Sequence, residues 1–194
     1  MEPGRLVVLN GVSSAGKTTL ATAFRDERAR RGDFWLLIGI DDALSKLPSQ
    51  WVDMGLVTGP GGHADAGLWF EQTPDGRRLR VGQIGRQLID VYHQWVGVAV
   101  RSGINVIVDD VVIDRETYES WERILEGLEP IWVAVRCPLE VAEARELIRG
   151  DRAIGLARAQ HDLVHRDISY ALEIDTGELT ATQAHETLGA HLEQ

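Results

Sequence analysis

The residues best suited to chemistry lie in a glycine-bounded loop near the start of the chain. Gly11 to Thr18 matches the pattern G-x-x-x-x-G-K-[ST], in which backbone N–H groups surround the phosphates of a nucleotide. The lysine of this pattern reaches the β- and γ-phosphates, and its last hydroxyl faces Mg²⁺. The sequence therefore predicts an ATP-binding loop, with Mg²⁺ as cofactor, made by Gly11, Val12, Ser13, Ser14, Ala15, Gly16, Lys17, Thr18 and Thr19.

The segments on either side of this loop support the prediction. Residues 5–10 are apolar enough for a buried strand, and residues 18–31 have the spacing of a helix. That order directs the partly positive N-terminus of a helix at a bound anion. The alternative is an ordinary Gly/Ser turn. Such a turn would not require the four defined residues of the pattern at their spacing between the strand and the helix.

Two carboxylates follow the second apolar run, residues 34–38. Asp41 and Asp42 would then lie beyond the carboxyl end of a strand, across from the γ-phosphate. A carboxylate there can accept the proton of an attacking hydroxyl, as in a kinase. Asp41 is the predicted base and acceptor contact, and Asp42 the better candidate to cap the short helix that follows.

A second acidic pair, Asp109 and Asp110, follows the third apolar strand, residues 104–108. Carboxylates in this position hold Mg²⁺ through water in many P-loop proteins. We expect Thr18 and Asp109 to serve the metal and Asp110 to contact the acceptor. The alternative for this pair is a structural hydrogen bond to the phosphate loop.

An arginine-rich stretch lies later in the chain, around a predicted helix break at Gly150. Arg149 and Arg152 suit a lid, about residues 145–165, that closes over transferring phosphates and neutralises developing charge. We predict both arginines to be catalytic. A solvated helix face with Glu–Arg pairs is the alternative.

Residues 48–82 are expected to form the acceptor side. A long Gly-rich loop, residues 48–67, precedes a predicted β-hairpin whose turn is Thr73 to Gly76. Trp69 and Phe70 on this hairpin are suited to stacking on an apolar ring, and are predicted to bind substrate. They could instead only fix the hairpin to the rest of the molecule.

A long amphipathic helix is predicted over residues 83–102. Its apolar residues Ile84, Leu88, Val91, Trp95 and Val98 recur at helical spacing and are expected to face the core.

The remaining pattern alternates apolar strands with helices, and this order is typical of an α/β protein. Further strands are predicted at residues 131–135 and 171–174. Strands that are apolar throughout indicate a parallel sheet covered on both faces. We expect one domain, residues 1–194, with a three-layer P-loop kinase fold: a five-stranded parallel sheet, a small β-hairpin cap and a helical lid.

The composition narrows the class of partner. The formal net charge of −10 argues against extended nucleic-acid contact and against anionic membranes. The single cysteine, Cys137, permits no internal disulfide, and no leader or membrane-length apolar run is seen. A cytoplasmic protein acting on a small molecule is expected, and a homo-oligomer is left open.

At the level of motifs, the chain resembles chloramphenicol 3-O-phosphotransferase over nearly its whole length. The matching segments are residues 9–17, 39–41, 107–111, 132–137, 145–146, 149–152, 164–165 and 174–176. The resemblance implies a shikimate-kinase-like P-loop fold, ATP-dependent phosphorylation of an antibiotic hydroxyl, and a catalytic aspartate at Asp41. The chain departs from the family at residues 25–34, which look longer, and at residues 48–67, which are expanded and Gly-rich.

Two classes of function therefore follow from the sequence. The first is a kinase that phosphorylates a hydroxyl of a small natural product, either an antibiotic such as chloramphenicol, giving resistance, or a biosynthetic intermediate. The second is a nucleotide-gated regulatory protein without kinase activity. A base at Asp41 and an arginine-rich lid favour the first, because a switch needs no base facing an acceptor.

Overall fold

The computed structural model describes residues 2–53, 62–73, 76–149 and 154–193. Its helices and strands are, in chain order, β1 (Leu6–Asn10), α1 (Lys17–Arg30), β2 (Trp35–Gly39), α2 (Ile40–Leu44), β3 (Val52–Asp53), β4 (Leu68–Thr73), β5 (Gly76–Val81), α3 (Gln83–Arg101), β6 (Asn105–Asp110), α4 (Arg115–Ile124), β7 (Ile131–Arg136), α5 (Leu139–Arg149), α6 (Leu156–His161), β8 (Leu172–Asp175) and α7 (Ala181–Leu192).

The main sheet has five parallel strands in the order β2-β6-β1-β7-β8. Its central strand β1 is buried along its whole length, as the apolar residues Leu6 to Leu9 predict, and the polar Asn10 at its end is buried too. Side chains of a strand alternate between the two faces of the sheet, and here they enter two separate cores. Leu6 and Val8 pack with α3 and α4, whereas Val7 and Leu9 pack with α1 and α7. The predicted three-layer α/β fold is therefore confirmed.

A second, smaller sheet lies after α2. Its order is β3-β4-β5, with β4 and β5 antiparallel as the predicted hairpin requires and β3 parallel to β4. The two-residue strand β3 was not predicted. The hairpin packs beside α6, which belongs to the predicted lid. Residues 54–61 and 74–75, part of the predicted loop and turn, lie outside the described residues.

The buried face of α3 differs from the predicted one. Val91, Trp95 and Val98 are 59%, 50% and 63% exposed, whereas Ile89, Tyr92 and Val96 are buried. The reason is that α3 packs closely on α4. A Cβ atom added at Gly97 would lie 2.9 Å from Ile124, so the face bearing this glycine is the one that reaches α4.

Side chains near the helix ends cap two of the helices. Asp114 caps α4 by accepting a hydrogen bond from the Thr117 amide. Thr180 and Gln183 form a capping box at the start of α7. None of the helices in the described parts of the chain has the length and apolar character that a membrane span needs.

Candidate active site

The glycine-bounded loop joins β1 to α1, and its backbone is tightly constrained. A Cβ atom at Gly11 would lie 2.3 Å from the carbonyl oxygen of Val135, so only glycine fits against β7 there. Gly16 has a φ of 92°, and Ser14 has a φ of 61°, both in the left-handed region. A loop curled in this way forms the concave backbone that binds phosphates in P-loop proteins.

The loop also offers donors that lack partners within the described chain. The hydroxyls of Ser13 and Ser14 are buried and make no hydrogen bond to any described residue. The ammonium group of Lys17 is held inside the loop, where it donates to the carbonyl oxygens of Gly11 at 2.9 Å and Val12 at 2.8 Å. Because α1 begins at Lys17, its N-terminus adds positive potential. The arrangement fits a bound polyphosphate.

Asp109 lies beside this loop at the end of β6. The hydroxyl of Thr18 donates to Asp109 Oδ2, and Lys17 Nζ lies 3.8 Å from Asp109 Oδ1. A hydroxyl and a carboxylate are oxygen ligands of the kind that Mg²⁺ prefers. Within the described ranges, no group of three or more His, Cys, Asp or Glu side chains is placed to hold a metal ion by itself. These two residues therefore fit a metal that takes its other ligands from phosphates and water.

Asp41 and Asp42 occupy different surroundings although they are adjacent in α2. Asp42 Oδ2 accepts a hydrogen bond from the Gly39 amide at 3.2 Å, and so caps its own helix. Asp41 instead lines the cavity that also contains Lys17 and Asp109. The geometry places Asp41 where the predicted base should lie; its catalytic role stays a prediction.

A cavity of about 400 Å³ extends from the phosphate loop to the small sheet. Ser13, Ser14, Gly16, Lys17, Thr18 and Thr19 line its phosphate end. The opposite end is aliphatic and is lined by Ile40, Leu44, Val52, Leu68, Leu79, Val81, Ile89 and Ile113. The carboxyl ends of β1, β2 and β6 thus converge on one site, as expected for an open α/β sheet.

The two aromatic residues predicted to bind substrate do not line this cavity. Successive residues of a strand point to opposite faces, so Trp69 points away from the face that Leu68 presents. Phe70 is paired with Leu79, which does line the cavity, although Phe70 itself does not. Aliphatic residues of the small sheet line the cavity instead, and the substrate-binding roles of Trp69 and Phe70 stay predictions.

Asp110 forms a buried polar part of the same cavity. Its Oδ2 accepts a hydrogen bond from Trp121 Nε1 at 2.6 Å, and its Oδ1 accepts one from the Val111 amide at 2.7 Å. Burial raises the pKa of the Asp110 carboxyl to about 6, and the hydrogen bonds from Trp121 and Val111 oppose that shift. An acceptor group placed here would meet a fixed hydrogen-bonding carboxyl.

A second layer of side chains supports Asp110. The His93 ring stacks on Trp121 at 3.8 Å, and its Nε2 lies 3.9 Å from Asp110 Oδ2. Ser120 donates its hydroxyl hydrogen to Asp90 at 2.6 Å, so His93 Nδ1, 2.8 Å from Ser120 Oγ, must carry the proton. No local sequence signal indicates the hydrogen bond from Trp121 to Asp110.

A second cavity, of about 360 Å³, adjoins the other side of the phosphate loop. Arg145 lines it and donates to the carbonyl oxygen of Thr176 at 2.8 Å and to the Thr176 hydroxyl at 3.2 Å. Leu20 and Ile148 supply apolar surface. Its position beside the phosphate loop and its mixed lining suit the nucleoside part of a nucleotide.

Arg149, at the end of α5, lines both cavities and so lies between the two halves of the site. This position is compatible with its predicted role at the transferring phosphate. Arg152, the other arginine predicted to be catalytic, lies outside the described residues. Beyond that break, Glu146 of α5 fixes α6 by accepting hydrogen bonds from the amides of Gly155 and Ala157.

Comparisons with known proteins are consistent with this geometry. A family model described as "CPT: Chloramphenicol phosphotransferase-like protein" matches residues 4–193. A Mycobacterium tuberculosis protein with the provisional name O-phosphotransferase is 36% identical over 192 residues, which cover 96% of this chain and 80% of that protein.

Solved structures show the same fold at low sequence identity. The Mycobacterium tuberculosis APS kinase, in complex with AMPPNP and APS, has a TM-score of 0.69 at 15% identity, with all of both chains covered. A gluconokinase from Sinorhizobium meliloti has a TM-score of 0.61 at 16% identity, covering 100% of this chain and 94% of that one. The fold is that of P-loop kinases.

Proposed function

The chain belongs to the chloramphenicol phosphotransferase-like family, and from that premise we propose that it is an ATP-dependent kinase acting on a hydroxyl of a neutral small molecule. Family and fold are those of a phosphotransferase. The observation that carries the finer proposal is a single cavity lined by Lys17, Asp41 and an aliphatic wall. Phosphate donor, base and acceptor can therefore meet in one enclosed space.

The proposed reaction forms one P–O bond and breaks another. The acceptor oxygen attacks the γ-phosphorus of ATP, its proton passes to the Asp41 carboxylate, and ADP leaves. Lys17 and Arg149 place positive charge beside the phosphates. Thr18 and Asp109 would hold Mg²⁺, which neutralises phosphate charge when bound.

The lining of the cavity supports a neutral acceptor. Among the described lining residues the cations are Lys17 and Arg149, both near the phosphate loop, and the acceptor end is aliphatic with Ser45, Asp110 and Thr117 as polar groups. An anionic acceptor would find no cation at that end of the described lining. Chloramphenicol, a neutral alcohol suggested by the family, is the first compound to test, and its phosphorylation would indicate a role in antibiotic inactivation.

The test is ADP release from ATP and Mg²⁺ over a panel of hydroxylated compounds that includes chloramphenicol. The expected result is turnover with one or more neutral alcohols that is abolished in Lys17→Ala, which removes the charge beside the phosphates and whose fold is checked by thermal unfolding. Nucleotide binding without turnover on any alcohol would favour a nucleotide-gated switch and contradict the proposal.

A further inference from the structure

We propose that Gln160 is a further catalytic residue that donates a hydrogen bond to the transferring γ-phosphoryl group; this rests on the proposed function. Gln160 lies in α6 and is 3% exposed, yet it lines the cavity that contains Lys17 and Asp41. Its Oε1 accepts a hydrogen bond of 2.7 Å from the backbone amide of Ser13, in the phosphate loop. The side chain thus connects the lid to the loop.

The inference depends on the amide nitrogen of the Gln160 carboxamide. The Nε2 group of Gln160 bears two hydrogens, and it donates to no other described residue. With Oε1 committed to the Ser13 amide, the orientation of the planar carboxamide is fixed. Because the residue lines the cavity, the remaining donors are available to a ligand there. Gln160 Nε2 is not one of the fully buried unpaired atoms of the described chain, so the cavity reaches it, and a ligand acceptor there can take its hydrogen bonds.

A purely structural role explains Gln160 less well, because other contacts already hold α6. Glu146 accepts hydrogen bonds from the amides of Gly155 and Ala157 at its start. After its end, the Val164 carbonyl accepts a 2.6 Å hydrogen bond from Asn10 of β1. Leu156 and Ala157 are buried against the molecule. The attachment of α6 therefore does not depend on a buried amide at position 160.

The position relative to the loop indicates which phosphate Gln160 meets. The second cavity, which suits the nucleoside, shares three residues of the phosphate loop with the first cavity: Ser14, Gly16 and Thr19. Ser13 and Gln160 line the first cavity, which contains the acceptor end, and do not line the second. The carboxamide therefore lies toward the phosphate that is transferred, and away from the nucleoside.

The experiment compares Gln160→Met and Gln160→Glu with wild type by calorimetric binding of ADP and of a non-hydrolysable β,γ-imido ATP analogue, without any acceptor. Gln160→Glu keeps an acceptor for the Ser13 amide but loses the donors, whereas Gln160→Met loses both. Gln94→Met, on the exposed side of α3, is the matched control. Thermal unfolding verifies that each variant is folded.

Gln160→Met is expected to bind ADP within about twofold of wild type and the ATP analogue about ten- to a hundredfold more weakly, as for a lost hydrogen bond to a charged group. Gln160→Glu also adds a negative charge beside the phosphates, so it should weaken binding of the analogue at least as much. Gln94→Met should bind both nucleotides normally. Equal losses for ADP and the analogue, or no loss for either, would overturn the inference. Wild-type turnover on an alcohol tests the proposed function separately, since the binding comparison needs no acceptor.

Discussion

At the scale of single residues, the adjacent carboxylates Asp41 and Asp42 are the clearest contrast in the site. Asp41 lines the cavity, while Asp42 caps α2 through the Gly39 amide. Asp41→Asn should therefore reduce turnover by about 10²–10⁴-fold and leave nucleotide affinity nearly unchanged, because an amide cannot accept the proton. Steady-state kinetics with calorimetric ATP binding measures both effects.

Asp42→Asn is the matched control for that substitution. It should keep turnover within a few-fold of wild type and lower the free energy of unfolding by about 1 kcal/mol or less, as for a weakened cap. If Asp42→Asn were the inactive variant and Asp41→Asn turned over normally, the assignment of the base would be wrong.

The buried imidazole of His93 predicts a pH dependence of stability. Burial lowers its pKa to about 3, well below the value of about 6.5 in an unfolded chain. As the pH falls below about 6.5, the unfolded state binds a proton that the folded state does not, so stability is lost on acidification. His165, whose pKa burial lowers to about 4, acts in the same direction, and Asp110 opposes both between about pH 4 and 6.

His93→Asn keeps a donor for Ser120 but cannot titrate. Urea unfolding between pH 6.5 and 4.5 should show stability falling more steeply with acidification in wild type than in the variant, by up to about 1.4 kcal/mol per pH unit. Identical slopes would show that His93 is not held neutral.

Residues whose role depends on local chemistry could be predicted from sequence. The phosphate loop and the cap at Asp42 follow from spacing over a few positions. Which face of the hairpin Trp69 occupies depends on the strand register, which no local pattern predicts. Gln160 and Ser13 are 147 positions apart, so no local pattern indicates their hydrogen bond.

At the scale of elements, α3 shows where periodicity is ambiguous. Apolar residues recur on both sides of this helix, and the sequence alone favoured the side of Val91, Trp95 and Val98. Packing against α4 selects the other side, where Gly97 permits close approach and Tyr92 and His93 join the aromatic cluster around Trp121. For the buried face of α3, the position of the small residue Gly97 was therefore a better indicator than the spacing of the apolar residues.

Two tryptophans test this placement of the elements. Trp121→Phe removes the Nε1 donor to buried Asp110 and leaves space in the core, so it should lower the free energy of unfolding by about 2–4 kcal/mol at pH 7.5. Trp95→Phe, at a half-exposed position, should change it by no more than about 0.5 kcal/mol. Urea denaturation compares them directly, and the reverse order would contradict the observed face of α3.

At the scale of the whole molecule, the parallel sheet brings three loops to one edge. The sequence predicted that the phosphate loop, Asp41 and Asp109 would meet beyond the carboxyl ends of their strands, and the cavity contains all three. The strand order β2-β6-β1-β7-β8 was not predicted, because neighbours in the sheet are far apart in sequence. The one-domain expectation for residues 1–194 and the role of Arg152 stay predictions.

The central claim is that this cavity transfers a phosphoryl group from ATP to a neutral alcohol. The most direct measurement is mass spectrometry of chloramphenicol and other neutral alcohols after incubation with the protein, ATP and Mg²⁺, beside an anionic sugar acid such as gluconate. The account predicts one added phosphoryl group on at least one neutral alcohol, with matching ADP, and none on gluconate. Phosphorylation of gluconate alone, or bound nucleotide with no alcohol phosphorylated, would contradict it.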